Sequence, residues 1–249
     1  MAYGNLSVDS ITTSTPQGVL GAGNASLIKN RLINSGFTIN QRTYVSNTAL
    51  AVGVYGHDRW KAGASGCTYT FTQLSAGVPI VITITAGSIQ QVIEGCNIPD
   101  GGNFVLSWTG TAQGRFNGGT YGSSPLAVTG LTAGANCTIE FNTGTLSYPQ
   151  LEVGSVATGF EYEIYSQTLA KCQRYYEVVG TVALTTVTAN YQPVYWAVSK
   201  RASPTVTTSA ATGTFAAFSA TTLASYSGAF QSSPNSSDIN VTVTGSAEL

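Results

Sequence analysis

Apolar and polar residues alternate with a period of two over much of the chain, and this alternation restricts the possible folds more than any other feature. In residues 67–71, for example, Cys, Tyr and Phe alternate with Thr. Similar runs occupy residues 78–84, 104–108 and 137–141, and in the last of them Glu140 is expected to point away from the apolar face. Glycine-rich breaks separate the runs. Several short strands at this spacing predict an all-β protein built on an antiparallel β-sandwich.

One short helix is predicted in the second half of the chain. Ser166 is a possible N-cap, and Leu169 and Cys172 follow at helical spacing before a new β pattern begins near Glu177. We place a domain boundary at this helix. Residues 166–249 are then a linking helix and a smaller C-terminal β domain.

The first residues differ in composition from the rest of the chain. Residues 1–29 are rich in Gly, Ser and Thr and cannot bury a core alone. They form either a disordered leader or an extended arm that becomes ordered against a partner. The apolar residues Leu6, Val8 and Ile11 favour the arm. Residues 30–165 remain as the main β-sandwich domain.

Charged residues make up only 8% of the chain, against roughly 25% in average globular proteins. The net charge of -1 leaves no electrostatic footprint for nucleic acid or anionic lipid. A surface so poor in charge fits a stable oligomer with much buried surface, or a surface suited to neutral, hydroxyl-rich sugars. No signal peptide or long apolar run is recognised, so we expect synthesis in the cytoplasm and no membrane insertion.

Metal and cofactor sites are not predicted. The four cysteines lack CxxC spacing and histidine partners, which argues against zinc, and they are expected to be buried thiols. The four aspartates are scattered, which argues against calcium, and the glycine-rich stretches lack the features of a phosphate loop. The cysteines are Cys67, Cys96, Cys137 and Cys172.

No catalytic residue is predicted either. His57 is the only histidine, and its neighbour Asp58 is poorly placed to orient it, so we interpret His57 as a solvent-facing turn residue. Glu161 and Glu163 would share one face of a strand and could approach the separation of a glycosidase pair. Neighbouring glutamates are more often simply solvated. Hydrolysis of a polysaccharide stays open as an alternative.

Binding is the remaining class of function. Tyrosine is the commonest aromatic residue, with 13 copies, and can present a flat apolar face together with a hydroxyl. Tyr121 lies in the glycine-rich loop 118–124, close to Arg115 and Asn117 in the sequence. These three residues are the predicted sugar-contacting site, with an ordinary hairpin tip as the alternative. The tryptophans are assigned to the core: Trp60, Trp108 and Trp196.

Two pairs of segments flank the main domain and carry a family resemblance. The opening pair is NRLINSGFTINQR (residues 30–42) with HDRW (57–60), and the closing pair is QLEVGSVATGFE (150–161) with LAKCQRYY (169–176). In this combination they resemble bacteriophage tail-fibre and prophage structural proteins. Departures from the family pattern, such as Gly159 where proline is usual, are confined to loops.

The resemblance implies a jelly-roll domain similar to carbohydrate-binding modules, and with it a capacity to bind sugars. It also implies a homotrimer located in the virion tail and attached to baseplate or other tail proteins through its N-terminal segment. The expected function is non-covalent attachment to a glycan on the host surface. A passive structural role, such as a head fibre or collar protein without receptor contact, and an enzyme that degrades polysaccharide are the alternatives.

Overall fold

The computed structural model describes the backbone of residues 11–12, 19–20, 29–184, 191–212, 215–220, 226–232 and 239–249. Side chains are described for residues 29–179, 195–208 and 242–249. Except for the two-residue strands β1 and β2 and for Lys29, the predicted N-terminal arm lies outside the described residues.

The described elements are almost all strands. In chain order they are β1 (Ile11–Thr12), β2 (Val19–Leu20), β3 (Lys61–Phe71), β4 (Ile82–Ile93), β5 (Gly102–Thr109), β6 (Gly114–Phe116), β7 (Leu126–Leu131), β8 (Cys137–Phe141), β9 (Gly144–Val153), α1 (Tyr165–Gln173), β10 (Tyr176–Leu184), β11 (Tyr191–Tyr195), β12 (Thr205–Thr212), β13 (Phe215–Ala220), β14 (Tyr226–Ser232) and β15 (Ile239–Ser246). The nine-residue helix α1 is too short to cross a membrane, and no other described helix could cross one.

Strands β3 to β9 form one antiparallel β-sandwich, as predicted. Their hydrogen-bonded order is β6-β8-β4-β9-β5-β7, and β3 pairs with the other edge of β4. The long strand β9 pairs with β4 through residues 144–146 and with β5 through residues 147–153. It therefore belongs to both sheets of the sandwich, the one that contains β3, β4, β6 and β8 and the one that contains β5 and β7. The all-β fold class predicted from the alternation is confirmed.

The core of this sandwich is filled by the apolar residues of the period-two runs. Trp60 and Trp108 lie in it as predicted, and each large apolar side chain buried there contributes about 1.5–3 kcal/mol. The run at 78–84 becomes a strand only from Ile82, although Ile80 is also buried. Other members of the core are Phe37, Tyr69, Ile84, Ile89, Leu106, Ile139, Phe141, Leu146 and Leu151.

Asn30 joins the opening and closing segments of the main domain. Its Oδ1 accepts hydrogen bonds from the backbone N–H groups of Leu32 (3.0 Å) and Leu151 (3.1 Å), and its Nδ2 donates to the carbonyl of Pro149 (3.2 Å). The N–H of Arg31 donates to the carbonyl of Leu151 at 2.8 Å. The side chain of Asn30 therefore supplies hydrogen-bond partners for backbone groups of Leu32, Leu151 and Pro149 that are not paired with a neighbouring strand.

The closing segment is fixed by its own polar residues in a second network. Glu152 accepts from the N–H and hydroxyl of Thr158 (2.8 and 2.6 Å) and from Gln150 Nε2 (2.9 Å). Gln150 Oε1 accepts from the N–H of Glu161 at 2.8 Å. Glu161 Oε2 in turn accepts from the N–H of Lys29 at 3.0 Å. These residues of the closing motif are thus framework.

The opening motif is also framework. The indole N–H of the buried Trp60 donates to the carbonyl of Asn34 (2.9 Å), and Asn34 Nδ2 donates to the carbonyl of Asp58 (2.9 Å). The carboxamide of Gln91 donates to and accepts from the backbone of Ile33, both at 2.8 Å. The buried turn around Trp60 is therefore tied to β4 and to the start of the domain.

A second compact unit comprises residues 164–249 together with Ile39–Arg42. Its described strands form two three-stranded antiparallel sheets, in the orders β10-β15-β12 and β11-β14-β13. The division after Glu163 lies close to the boundary placed at Ser166, but the membership of Ile39–Arg42 has no counterpart in the sequence prediction.

The predicted helix is present, but its predicted ends were wrong. Ile164, not Ser166, is the N-cap residue, and no side chain caps the helix there. The helix ends at Gln173, before the predicted Glu177, because Tyr176 already pairs with β15. Its last carbonyl groups find partners outside the helix, as in the hydrogen bond from Lys200 Nζ to the Gln173 carbonyl (2.5 Å).

Lys200 and Glu177 form a buried ion pair in this unit. The other carboxylate oxygen of Glu177 accepts from the N–H of Ala197 at 2.9 Å. Lys200 Nζ lies 4.8 Å from the ring centroid of Trp196, which is buried as predicted. Burial lowers the pKa of Lys200, and the carboxylate of Glu177 opposes that shift.

Candidate functional site

A row of polar residues crosses the sheet formed by β3, β4, β8 and β6. Lys61 pairs with Gln90, Gln90 with Glu140, and Glu140 with Arg115. Side chains of directly paired residues lie on the same face of a sheet, and alternate residues of each strand point to the opposite face. Because Ile89, next to Gln90, belongs to the core, the polar row lies on the face away from it.

Glu140 is the centre of the row, and only 6% of its surface is exposed. Its Oε1 accepts a hydrogen bond from the hydroxyl of Ser88 at 2.5 Å. Its Oε2 accepts from Arg115 Nε at 2.8 Å and lies 2.7 Å from Arg115 Nη2. The carboxylate predicted to point outward does leave the core, but its neighbours cover it. The result is a neutralised ion pair with fixed donors and acceptors.

Gly63 on β3 makes room for this arrangement. A Cβ atom at that position would lie 2.1 Å from Ser88 Oγ and 2.8 Å from Glu140 Oε1, which is closer than real atoms approach. Any larger residue at position 63 therefore displaces the Ser88 hydroxyl or the Glu140 carboxylate.

Tyr121 lies beside Arg115 as the sequence predicted. The guanidinium carbon of Arg115 is 4.4 Å from the centroid of the Tyr121 ring, within the range of a cation–π contact. A two-way backbone pairing of Gly114 with Gly122, at 2.9 and 2.8 Å, holds the loop against β6. Burial raises the pKa of Tyr121, and the negative charge of Glu140 adds to the shift. The phenol is therefore a neutral hydroxyl at physiological pH.

A second tyrosine lies at the other end of the row. Tyr55 pairs with Lys61 in an isolated bridge, and Lys61 Nζ is 5.8 Å from the centroid of the Tyr55 ring. From β3 to β6 there are three strand spacings, which together span about 14 Å. The face therefore presents a strip of hydrogen-bonding groups with an aromatic ring near each end.

Asn117, the third residue predicted for the site, has a role in the turn. Its Oδ1 accepts from the N–H of Thr138 at 2.9 Å, and its own N–H donates to the carbonyl of Thr138 at 2.8 Å. Its backbone has a φ of 45°, which asparagine tolerates better than most residues. The structure thus brings Arg115 and Tyr121 together and places the carboxamide oxygen of Asn117 against the backbone of β8.

Several residues of this face were missed by the sequence prediction. The pairing of four strands brings Ser88, Gln90 and Lys61 onto the same face as Arg115. No local sequence pattern predicts the register of those pairings. The sequence feature that could have indicated this face is Glu140, a carboxylate on the outer face of a strand in a chain with few charges.

His57 is not the solvent-facing residue that was predicted. It is fully buried, and its Nδ1 lies 2.8 Å from the hydroxyl of Tyr69, which also accepts from the His57 N–H at 3.0 Å. The rings of Phe37 and Phe71 lie edge-on to it, with centroids at 5.9 and 4.6 Å. Burial lowers the pKa of His57 to about 4, against a smaller opposing effect of Gln73. His57 does lie in a turn, in which the N–H of Trp60 donates to its carbonyl at 2.9 Å, but the predicted solvent exposure was wrong because aromatic residues of β3 cover this turn.

Two further predictions need correction. Glu161 and Glu163 do not share a strand face, because the described chain is not a strand there, and Glu161 Oε2 is occupied by backbone N–H groups. Cys96 is exposed, in contrast to the expected burial of all the cysteines. Burial raises the pKa of Cys67 to about 12 and that of Cys137 to about 11, so both are inert thiols.

Among the described residues, no group of three or more His, Cys, Asp and Glu side chains could hold a metal ion. No family model matches the chain, and no curated protein or solved structure shows significant similarity to it.

Proposed function

We propose that this chain is a virion structural protein of a bacteriophage, a tail or baseplate fibre that attaches to a glycan on the host surface. The observation that carries the proposal is the polar face on which Ser88, Glu140 and Arg115 are joined by hydrogen bonds and Arg115 lies against Tyr121, with Lys61 as a further positive charge of the row beside the Glu140–Arg115 pair. The resemblance of the flanking motifs to tail-fibre proteins supplies the biological setting.

The chemistry of this face suits a neutral sugar chain. Glu140 and Arg115 cancel each other's charge, so a charged ligand gains little from them. The partly exposed guanidinium of Arg115, with the Tyr121 hydroxyl and the carboxamide of Gln90, offers donors and acceptors to sugar hydroxyls, which both donate and accept. The rings of Tyr55 and Tyr121 can stack on the apolar faces of sugar rings. Attachment at such a site is non-covalent.

Oligomerisation strengthens such a weak site. We expect a homotrimer, in which simultaneous engagement raises the avidity by factors of roughly 10² or more when the geometry permits it. Size-exclusion chromatography with light scattering measures the oligomeric state. A monomer at micromolar concentration would contradict the fibre proposal.

Binding of purified surface polysaccharide from the host bacterium tests the site. Tyr121→Ala is expected to weaken binding about tenfold or more, since a stacked ring and its hydroxyl are both lost. Tyr195→Ala, which removes an exposed tyrosine from the second unit, is the matched control and should leave binding unchanged. Equal binding by the wild type and by both variants would exclude this face as the receptor site.

A further inference from the structure

Three aromatic side chains of the first unit form a cluster that shares no residue with the polar face. The ring centroids of Tyr148 and Phe160 are 4.9 Å apart, those of Phe160 and Tyr162 are 5.1 Å apart, and those of Tyr148 and Tyr162 are 5.9 Å apart. Tyr162 is 69% exposed, and the other two residues are half-buried. We call these three residues the aromatic platform.

Tyr148 adopts an unusual backbone conformation in the middle of β9. Its φ is 54°, a region that bulky residues rarely occupy and that costs on the order of 1–3 kcal/mol. It lies where the β5–β9 register shifts, because Ser107 pairs with Gln150 while Thr109 pairs with Ser147. Two residues of β9 thus oppose one of β5, which defines a β-bulge, and bulges commonly redirect a side chain. Here the bulge places the Tyr148 ring against Phe160.

Phe160 and Tyr162 are held rigidly by the residue between them. The carboxylate of Glu161 accepts backbone hydrogen bonds from Lys29 (3.0 Å) and Asn30 (2.7 Å), and the N–H of Glu161 donates to Gln150 at 2.8 Å. Both rings are therefore carried on a backbone segment that hydrogen bonds hold in place, so little loop entropy is lost when a ligand binds to them.

The polar edge of the platform indicates the chemistry of its ligand. Burial raises the pKa of Tyr148, and the neighbouring hydroxyl of Tyr162 raises it further, so the Tyr148 phenol is a neutral hydrogen-bonding group. Flat apolar faces with hydroxyls at the edge match a sugar ring, which has an apolar C–H face and a rim of hydroxyls.

We infer that the aromatic platform is a second glycan-binding site, which stacks a neutral hexose ring independently of the polar face. The inference rests on the proposed function for the biological ligand, but it concerns different residues. Two sites on one chain let a long polysaccharide bind bivalently, which multiplies the avidity already expected from oligomerisation.

Fluorine NMR of the full chain labelled with 3-fluorotyrosine tests this inference site by site. Glucose, galactose and mannose serve as probes, because stacking on a ring face tolerates differences among hexoses. The signals of Tyr148, Tyr162 and Tyr121 are assigned with single Tyr→Phe variants. We expect the Tyr148 and Tyr162 signals to shift on addition of at least one hexose, and to shift equally in the Arg115→Ala variant.

Tyr148→Asn separates a binding role from a structural one. Asparagine accepts a positive φ, so the variant should keep or raise Tm, while the apparent affinity reported by the Tyr162 signal falls about tenfold. A lower Tm with an unchanged Tyr162 shift would show a merely structural cluster and would overturn the inference. Broadening of the platform signals with protein concentration, without a sugar effect, would assign the platform to contacts between copies and would also overturn it.

The two proposals fail in distinguishable ways. Shifts of Tyr121 alone would support the polar face and exclude the platform. Shifts of Tyr148 and Tyr162 alone would support the platform and remove the polar face from the proposed function. The absence of any tyrosine shift with all three hexoses would contradict both sites.

Discussion

The guanidinium of Arg115 is shared between an aromatic ring and a carboxylate: its carbon lies 4.4 Å from the centroid of the Tyr121 ring, and its Nε donates to Glu140 Oε2 at 2.8 Å. Tyr121 thereby depends on a strand residue for its position, although it belongs to a glycine-rich loop. Removal of either partner changes both the loop and the buried charge beneath it.

We predict that Arg115→Met destabilises the protein by roughly 2 kcal/mol, because Glu140 then carries a nearly buried charge without a counter-ion. The double variant Arg115→Met/Glu140→Gln should recover most of this loss, and both variants should bind the polysaccharide more weakly, because only the aromatic platform is left intact. Urea unfolding measures the free energies. A double variant no more stable than the single one would show that the ion pair is not the source of the effect.

Gly63→Ala is predicted to impair the polar face while leaving the sandwich folded. The added methyl group collides with the Ser88 hydroxyl and the Glu140 carboxylate, so the expected result is weaker polysaccharide binding with a loss of stability of about 1–2 kcal/mol. Ala64→Ser, at an exposed neighbouring position of β3, is the control. Binding by Gly63→Ala equal to that of the wild type would mean that this part of the face does not contact the ligand.

The buried His57 makes the stability of the first unit depend on pH. Its pKa is about 4 in the folded protein and about 6.5 in the unfolded chain, so the unfolded state binds the proton more readily. The neutral histidine therefore contributes full stability above pH 6.5, and this contribution is lost as the pH falls from 6.5 through 4. The expected loss is about 3 kcal/mol.

Urea unfolding at intervals between neutral pH and the pKa of His57 measures this effect. His57→Gln is expected to lower stability at neutral pH and to flatten the profile, since glutamine does not titrate. A variant whose stability declines over the same interval as steeply as that of the wild type would assign the pH dependence to other groups.

Asn30→Ala is predicted to destabilise the first unit by about 2–4 kcal/mol. The substitution leaves the N–H groups of Leu32 and Leu151 and the carbonyl of Pro149 without their side-chain partner. Asn30→Asp keeps the acceptor and should cost less. Thermal unfolding compares the Tm of both variants with that of Asn103→Ala, which replaces an exposed asparagine. Equal Tm values for Asn30→Ala and Asn103→Ala would be incompatible with this role.

The strands were predictable where one face of them is buried. Residues 104–108 and 137–141 indicate β5 and β8 because side chains alternate across any strand, whatever its partner. The helix was predictable from the spacing of Leu169 and Cys172. Its start was not, because Ser166 supplies no capping hydrogen bond and the preceding chain, at Ile164, simply turns into the helix.

The candidate site was predictable only in its local part. Arg115 and Tyr121 are close in sequence and flank one hairpin, so their proximity follows from the turn between them. Ser88 and Glu140 join them through pairings between residues about 50 positions apart, and a shift of one residue in any pairing would reverse their faces. The burial of His57 likewise depends on the distant aromatic residues of β3.

The hydrogen bond between the N–H of Lys29 and the carboxylate of Glu161 holds two points of the chain that are 132 positions apart side by side at the two ends of the sandwich. A domain with adjoining ends can be excised, replaced or inserted into a surface loop of another protein without stretching the recipient chain. The sandwich is thus suited to transfer as a cassette, provided that the cassette keeps Ile39–Arg42, the segment inside its sequence that belongs to the second unit. Recombination between genes could exchange one version for another with different loops in a single step while the flanking chain keeps its course.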